Sequence, residues 1–173
     1  MLTDDEGIRS GAIWGLGFMA VAVAFIVVVA IGDNSSSRPV RLFATEIGLF
    51  LVYLCAVMHI RGFVYLGSKL GSVFLKWSSF ALCATLILFC LTLMAALPFT
   101  PDPFPALEVF VSILLGVAGI SFFIAMATLY KRLGVITFLV GLNLLWVYFV
   151  WFPPWGSLLF IPSAYLLFRE SNL

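Results

Sequence analysis

The chain is predicted to be an all-α integral membrane protein, a polytopic bundle of about six transmembrane helices. Three observations carry that expectation. Hydrophobic residues make up 64% of the 173 positions, charged residues only 10%, and the mean hydropathy is +1.19. A soluble domain averages about 25% charged residues, and a chain with so few could not cover a water-facing surface, so its main solvent is expected to be lipid. The apolar stretches are continuous rather than alternating, which selects helices over the strands of a barrel among the structures whose backbone can be satisfied in lipid.

The elements follow in order. The opening "MLTDDEGIRSGAIWG" carries acidic charges first, and the apolar run after it is long enough to cross a bilayer, so 11–31 is expected to be a retained first helix rather than a cleaved signal. The turn-rich "GDNSSSRP" ends it. The second helix is expected over 41–66 and the third over 72–97. "PFTPDPFP" then breaks the chain, because proline removes a backbone donor and clashes with the preceding turn. The fourth is expected over 106–130, the fifth over 134–151 and the sixth over 156–168. The sixth is short: thirteen residues rise only about 20 Å against a hydrocarbon core of about 30 Å. With Pro162 inside it, the element either spans with help from "WFPPW" or re-enters. No loop is long enough for a soluble domain, so 1–173 reads as a single transmembrane domain.

Orientation follows from the basic residues. With the N-terminus inside, Arg9, Arg61, Lys69, Lys76, Lys131, Arg132 and Arg169 fall on the cytoplasmic face, seven of the nine Lys and Arg, while Arg38 and Arg41 stay outside. The expectation is therefore N-in and C-in, in a cell membrane of prokaryotic type. Trp14, Trp77, Trp151 and Trp155 fall near expected helix ends, as interfacial anchors do, and Trp146 lies deeper, where packing explains it.

Small residues suggest how the helices meet. Gly11 and Gly15 form a GxxxG, and Ala20 and Ala24 repeat its spacing. Ser112 and Gly116 do the same in the fourth helix, joined by Gly119. Such spacing lets backbones approach closely, either within this bundle or against a partner subunit. The first is the simpler expectation.

Among polar residues at depth, Glu46 is the most informative. A carboxylate within a span costs a few kcal/mol unless paired, wetted or protonated. An ion pair with Arg38 or Arg41 at the rim is the simpler reading; ligand or proton binding is the alternative. Glu108 stands at the outer start of the fourth helix, where the helix dipole favours an acid. The two acids would share an outer vestibule if the second and fourth helices were neighbours. Asn143, midway along the fifth helix, suits an interhelical hydrogen bond or a polar contact to a ligand. His59, the chain's single histidine, is 13 residues from Glu46. That is about 20 Å along a helix, so the two cannot share a site. With Arg61 beside it, His59 reads as part of the basic inner rim facing anionic headgroups.

The chemistry that the sequence excludes is broad. Charges nearly balance, at nine basic against eight acidic residues, so no basic field for nucleic acid exists. One histidine and three scattered cysteines (Cys55, Cys83, Cys90) do not supply the three or four ligands of a zinc site, and the cysteines read as small buried hydrophobes. No nucleophile elbow, HExxH or phosphate loop is present, "GSKLG" at 67–71 reading as a tight turn. No catalytic residue, metal or cofactor is expected. The expected function is that of an accessory or structural subunit of a larger membrane complex, with lipids and protein partners or further copies of itself around it. The alternative is a binding or transport protein for a small, largely apolar solute entering near Glu46 and Glu108.

Overall fold

A computed structural model describes residues 3–35, 38–96, 105–129 and 160–172. Those residues form five helices: α1 (Asp4–Ser35), α2 (Arg38–Lys69), α3 (Val73–Ala96), α4 (Pro105–Leu129) and α5 (Phe160–Ser171). Four segments are long and apolar enough to cross a membrane: Asp4–Phe25, Thr45–Lys69, Val73–Ala96 and Pro105–Leu129. The expected fifth helix, 134–151, lies outside the described residues.

Helix α1 starts seven residues before its apolar run because the chain caps it there. The Thr3 hydroxyl accepts from the Glu6 amide at 3.3 Å, and the Glu6 carboxylate accepts from the Thr3 amide at 2.8 Å. This reciprocal capping box satisfies end amides that the helix itself cannot, and Asp4, Asp5 and Glu6 complement the positive end of the dipole. At its other end α1 does not stop at Ile31 but continues through Asp33 and Asn34 to Ser35. Helix α2 takes up at Arg38 with Pro39 in its first turn, where proline removes no hydrogen bond. The expected eight-residue connection is thus mostly helix. At 32 residues each, α1 and α2 are about 48 Å long. That exceeds a hydrocarbon core, so their polar ends fall where water or headgroups can solvate them.

Between α2 and α3 the chain reverses at once. Gly71 adopts φ 64°, the Ser72 amide donates to the Gly67 carbonyl at 2.8 Å, and the Gly71 amide donates to the Ser68 carbonyl at 3.2 Å. These two bonds are the Schellman closure of a helix end, which needs a left-handed residue at that position. Ser72 then caps α3, its hydroxyl accepting from the Leu75 amide at 3.3 Å.

Laterally the helices lie in the order α5, α1, α2, α3, α4, with a smaller contact between α5 and α2. The core runs through Ile8, Ala12, Ile60, Phe63, Leu66, Leu75, Leu86, Leu115, Phe122 and Leu167. Phe63 touches α4 directly, its ring edge-on to Phe122 with centroids 5.2 Å apart. In α5 the described helix, Phe160–Ser171, contains Pro162 and runs on past the expected end at 168.

Candidate functional site

The polar centre of the bundle is His59. The expectation that it belongs to the basic rim is corrected by its burial: 2% of the residue is exposed, whereas Arg61 is exposed. Two residues along an α-helix is a turn of about 200°, so neighbours in sequence face opposite sides. The imidazole Nδ1 lies 2.8 Å from the Gly11 carbonyl of α1, and Nε2 lies 2.8 Å from the Ser163 hydroxyl of α5. A carbonyl can only accept, so Nδ1 carries the proton; in the neutral ring Nε2 then accepts from the Ser163 hydroxyl. One side chain on α2 thereby joins three helices. The ring also stands edge-on to Phe63 at 5.5 Å, which continues to Phe122 on α4.

The glycines explain how an imidazole fits between packed helices. A Cβ on Gly11 would stand 2.5 Å from the Gly62 Cα, and one on Gly15 would strike the His59 ring itself. Gly7 extends the series, since a Cβ there would meet the Tyr65 ring. Gly7, Gly11 and Gly15 on α1 thus face Tyr65, Gly62 and His59 on α2, giving the close backbone approach that small residues permit. Ala20 and Ala24 are exposed instead, and the α1 side chains in the core move to Phe18. Ala20 follows Gly15 by five residues rather than four, about 140° around the helix, and Ala24 lies about 180° from Gly15, so both stand off the glycine face.

A second polar group closes the same end of the bundle. Lys69 Nζ lies 2.9 Å from the Asp5 carboxylate and donates to the Glu170 carbonyl at 2.7 Å. The start of α1 and the ends of α2 and α5 therefore sit together. The buried hydroxyls of α3 return to their own helix: Ser78 and Ser79 donate to the Leu75 carbonyl, and Thr92 to Leu88. Cys83 reaches α2, its sulfur 3.6 Å from the Val57 carbonyl, while Cys55 and Cys90 are buried.

The remaining sequence-derived candidates are placed as follows. Glu46 is half-buried on α2, and Glu108 is half-buried in the first turn of α4. Both lie at the end of the bundle opposite Phe63 and Phe122, and α2 and α4 each pack along α3. Arg38 and Arg41 belong to the start of α2, their side chains lying outside the described residues, as does Asn143. Ser112 and Gly116 are half-buried on α4; Gly119 is buried, yet a Cβ added there meets nothing within 4 Å. One cavity adjoins Glu46 in sequence. It is an almost wholly apolar groove of about 420 Å³ between α1 and α2, walled by Val21, Ala24, Phe25, Phe43, Ile47, Gly48 and Leu51. Among the described residues no cluster of three metal-ligating side chains occurs.

By length and composition of its helices, the chain is of the polytopic helical membrane class. No family model, curated protein or solved structure matches it.

Proposed function

We propose that this protein is an accessory, structural subunit of a larger assembly in a cell membrane of prokaryotic type, built on six spans with both termini inside. The observation that carries the reading is the use of the polar groups at depth. His59 binds its own chain's α1 and α5 through both ring nitrogens, and the α3 hydroxyls bond their own helix. What α4 turns outward is a row of large apolar side chains, Val109, Ile113 and Val117, each about 60% exposed. Such a row suits lipid or a partner helix, and partner helices in lipid associate through packing. Native mass spectrometry of protein extracted gently from its source tests the proposal. A partner chain that Ile113→Trp and Val117→Trp displace, with melting unchanged, is the expected result; a monodisperse single species throughout overturns it. The shared side of the termini is supported by Lys69 joining Asp5 to Glu170. Impermeant thiol reagents applied to Thr3→Cys and Asn172→Cys in intact cells are expected to label neither until the membrane is opened.

A second reading is favoured by the groove of about 420 Å³, a volume within the range of small-molecule sites. There the protein would bind or carry a small apolar solute beside Glu46. Ala24→Trp is expected to abolish ligand-dependent thermal stabilisation by filling the groove. Unchanged stabilisation in that variant counts against this reading.

A further inference from the structure

The groove between α1 and α2 shares its face of the bundle with Arg61. Its α2 walls Phe43 and Ile47 stand 18 residues before Arg61 and Tyr65 respectively. Eighteen residues are five whole turns of an α-helix, so Arg61 points the same way as Phe43, and Tyr65 the same way as Ile47. The match repeats on α1, where Phe25 follows Gly7 by 18 residues. The Phe25 ring lies against Gly48, as the Tyr65 ring lies against Gly7. The seam between the two helices therefore presents one face at both levels. Along that face Arg61 is about 15 Å from Leu51, the near end of the groove, and about 27 Å from Phe43, its far end.

What α2 shows between the two is apolar, with Phe50 and Leu54 exposed. On α1, Gly17 stands seven residues before Ala24 and about 20° from it around the helix. A Cβ on Gly17 would meet nothing within 4 Å, so the crease stays open from the groove toward Arg61. Arg61 itself is exposed within an apolar span, and among the described residues no carboxylate pairs with it. A cation at such depth is costly without an anion or water beside it. Its guanidinium donates to the Tyr65 hydroxyl at 2.7 Å and lies over that ring, the central carbon 5.4 Å from the centroid. One donor of five is spent on that bond, which leaves a planar fork matched to the two oxygens of a carboxylate.

We propose that this face binds one long-chain carboxylate, a fatty-acid anion, with its head on Arg61 and the end of its tail in the groove. The assignment rests on reading the groove as a binding site, and it adds the charged head that a small apolar solute lacks. One cation matches one monoanionic head. One crease matches one tail, whereas a two-tailed phospholipid would leave its second tail outside. An extended chain advances about 1.2 Å per bond, so the distance from Arg61 to the two ends of the groove corresponds to a tail of about 12 to 22 carbons. A short acid cannot hold Arg61 and reach the groove together.

A palmitate analogue with a diazirine at the tail end tests the site, using the full chain in phosphatidylcholine nanodiscs. After irradiation, peptide mass spectrometry is expected to find the label on groove residues such as Phe25, Gly48 and Leu51. Unlabelled palmitate should compete, and hexadecanol, the same chain without the charge, should compete about fivefold less well. Arg61→Gln should lower groove labelling about fivefold, and Arg61→Lys, which keeps the charge and loses the fork, should fall between. Lys76→Gln should leave it unchanged, because Lys76 packs on Gly67, 200° around α2 from Tyr65. Melting without palmitate identifies any variant that is simply misfolded, and the competition in wild type then carries the test. Label spread evenly over the exposed faces of α3 and α4 overturns the site, as does unchanged labelling in Arg61→Gln. If hexadecanol competes as well as palmitate for a labelled groove, the carboxylate assignment fails and the apolar-solute reading stands. If neither chain protects the groove, both fail.

Discussion

At the scale of single residues, the bundle depends on a few positions that tolerate no exchange. Gly11 is the clearest. Its Cβ would stand 2.5 Å from the Gly62 Cα, and backbone cannot yield as a side chain can. Gly11→Ala is therefore expected to force α1 and α2 apart and to destabilise by about 1–3 kcal/mol, the range for overpacking. Ser163→Ala removes the hydroxyl that bonds His59 Nε2; the expected loss is about 1 kcal/mol, in line with interhelical hydrogen bonds in membranes. Measuring both in the same detergent by thermal melting separates them: if Ser163→Ala costs as little as an exposed substitution, the imidazole bridge is not holding α5. The sequence disclosed Gly11 and Gly15 as small-residue positions, but not that His59 faces them. A histidine's face depends on which side of its helix meets neighbours, and the adjacent arginine pointed the wrong way.

At the scale of elements, α3 and α4 are each preceded in the sequence by residues that stop or start helices: Gly71 and Ser72 before α3, Pro105 at the start of α4. The start of α1 is also written in the sequence, as Thr3 and Glu6 at capping-box spacing ahead of the apolar run. The pairing of α5 with α1 was not legible, since no local pattern records which distant helix fills a gap. Two glycines distinguish the element-level roles. Gly71 sits at φ 64° in the α2–α3 turn, where Gly→Ala should cost about 1 kcal/mol through backbone strain. Gly119 lies inside α4 with open space around its would-be Cβ, so Gly119→Ala should be neutral or stabilising by up to about 1 kcal/mol. Chemical denaturation of the pair checks the contrast, and a marked loss from Gly119→Ala would mean that α4 is packed against something beyond the described residues.

At the scale of the whole molecule, the composition alone announced a helical membrane protein, and four helices of sufficient length and apolarity accord with it. The lateral order of helices was not announced. Hydrophobic periodicity has little force where every face is apolar, since lipid accepts the outward side chains as readily as neighbours accept the inward ones. The arrangement is fixed instead by sparse polar and steric marks: the glycines of α1, the imidazole of α2, and Lys69 at the closed end. A chain ending after Leu129 would keep α1 to α4 but lack both the Ser163 hydroxyl and the Glu170 carbonyl. Such a truncation is expected to be cleared faster in a pulse-chase experiment than the full chain, and an equal half-life would show that α5 contributes nothing to persistence.

The His59 bridge also has a schedule. Gly11 precedes it by 48 residues and Ser163 follows by 104. At a synthesis rate of about 5–20 residues per second, the Ser163 hydroxyl leaves the ribosome on the order of 5–20 s after the imidazole. Helix α5 is therefore a late latch on the seam that α1 and α2 form.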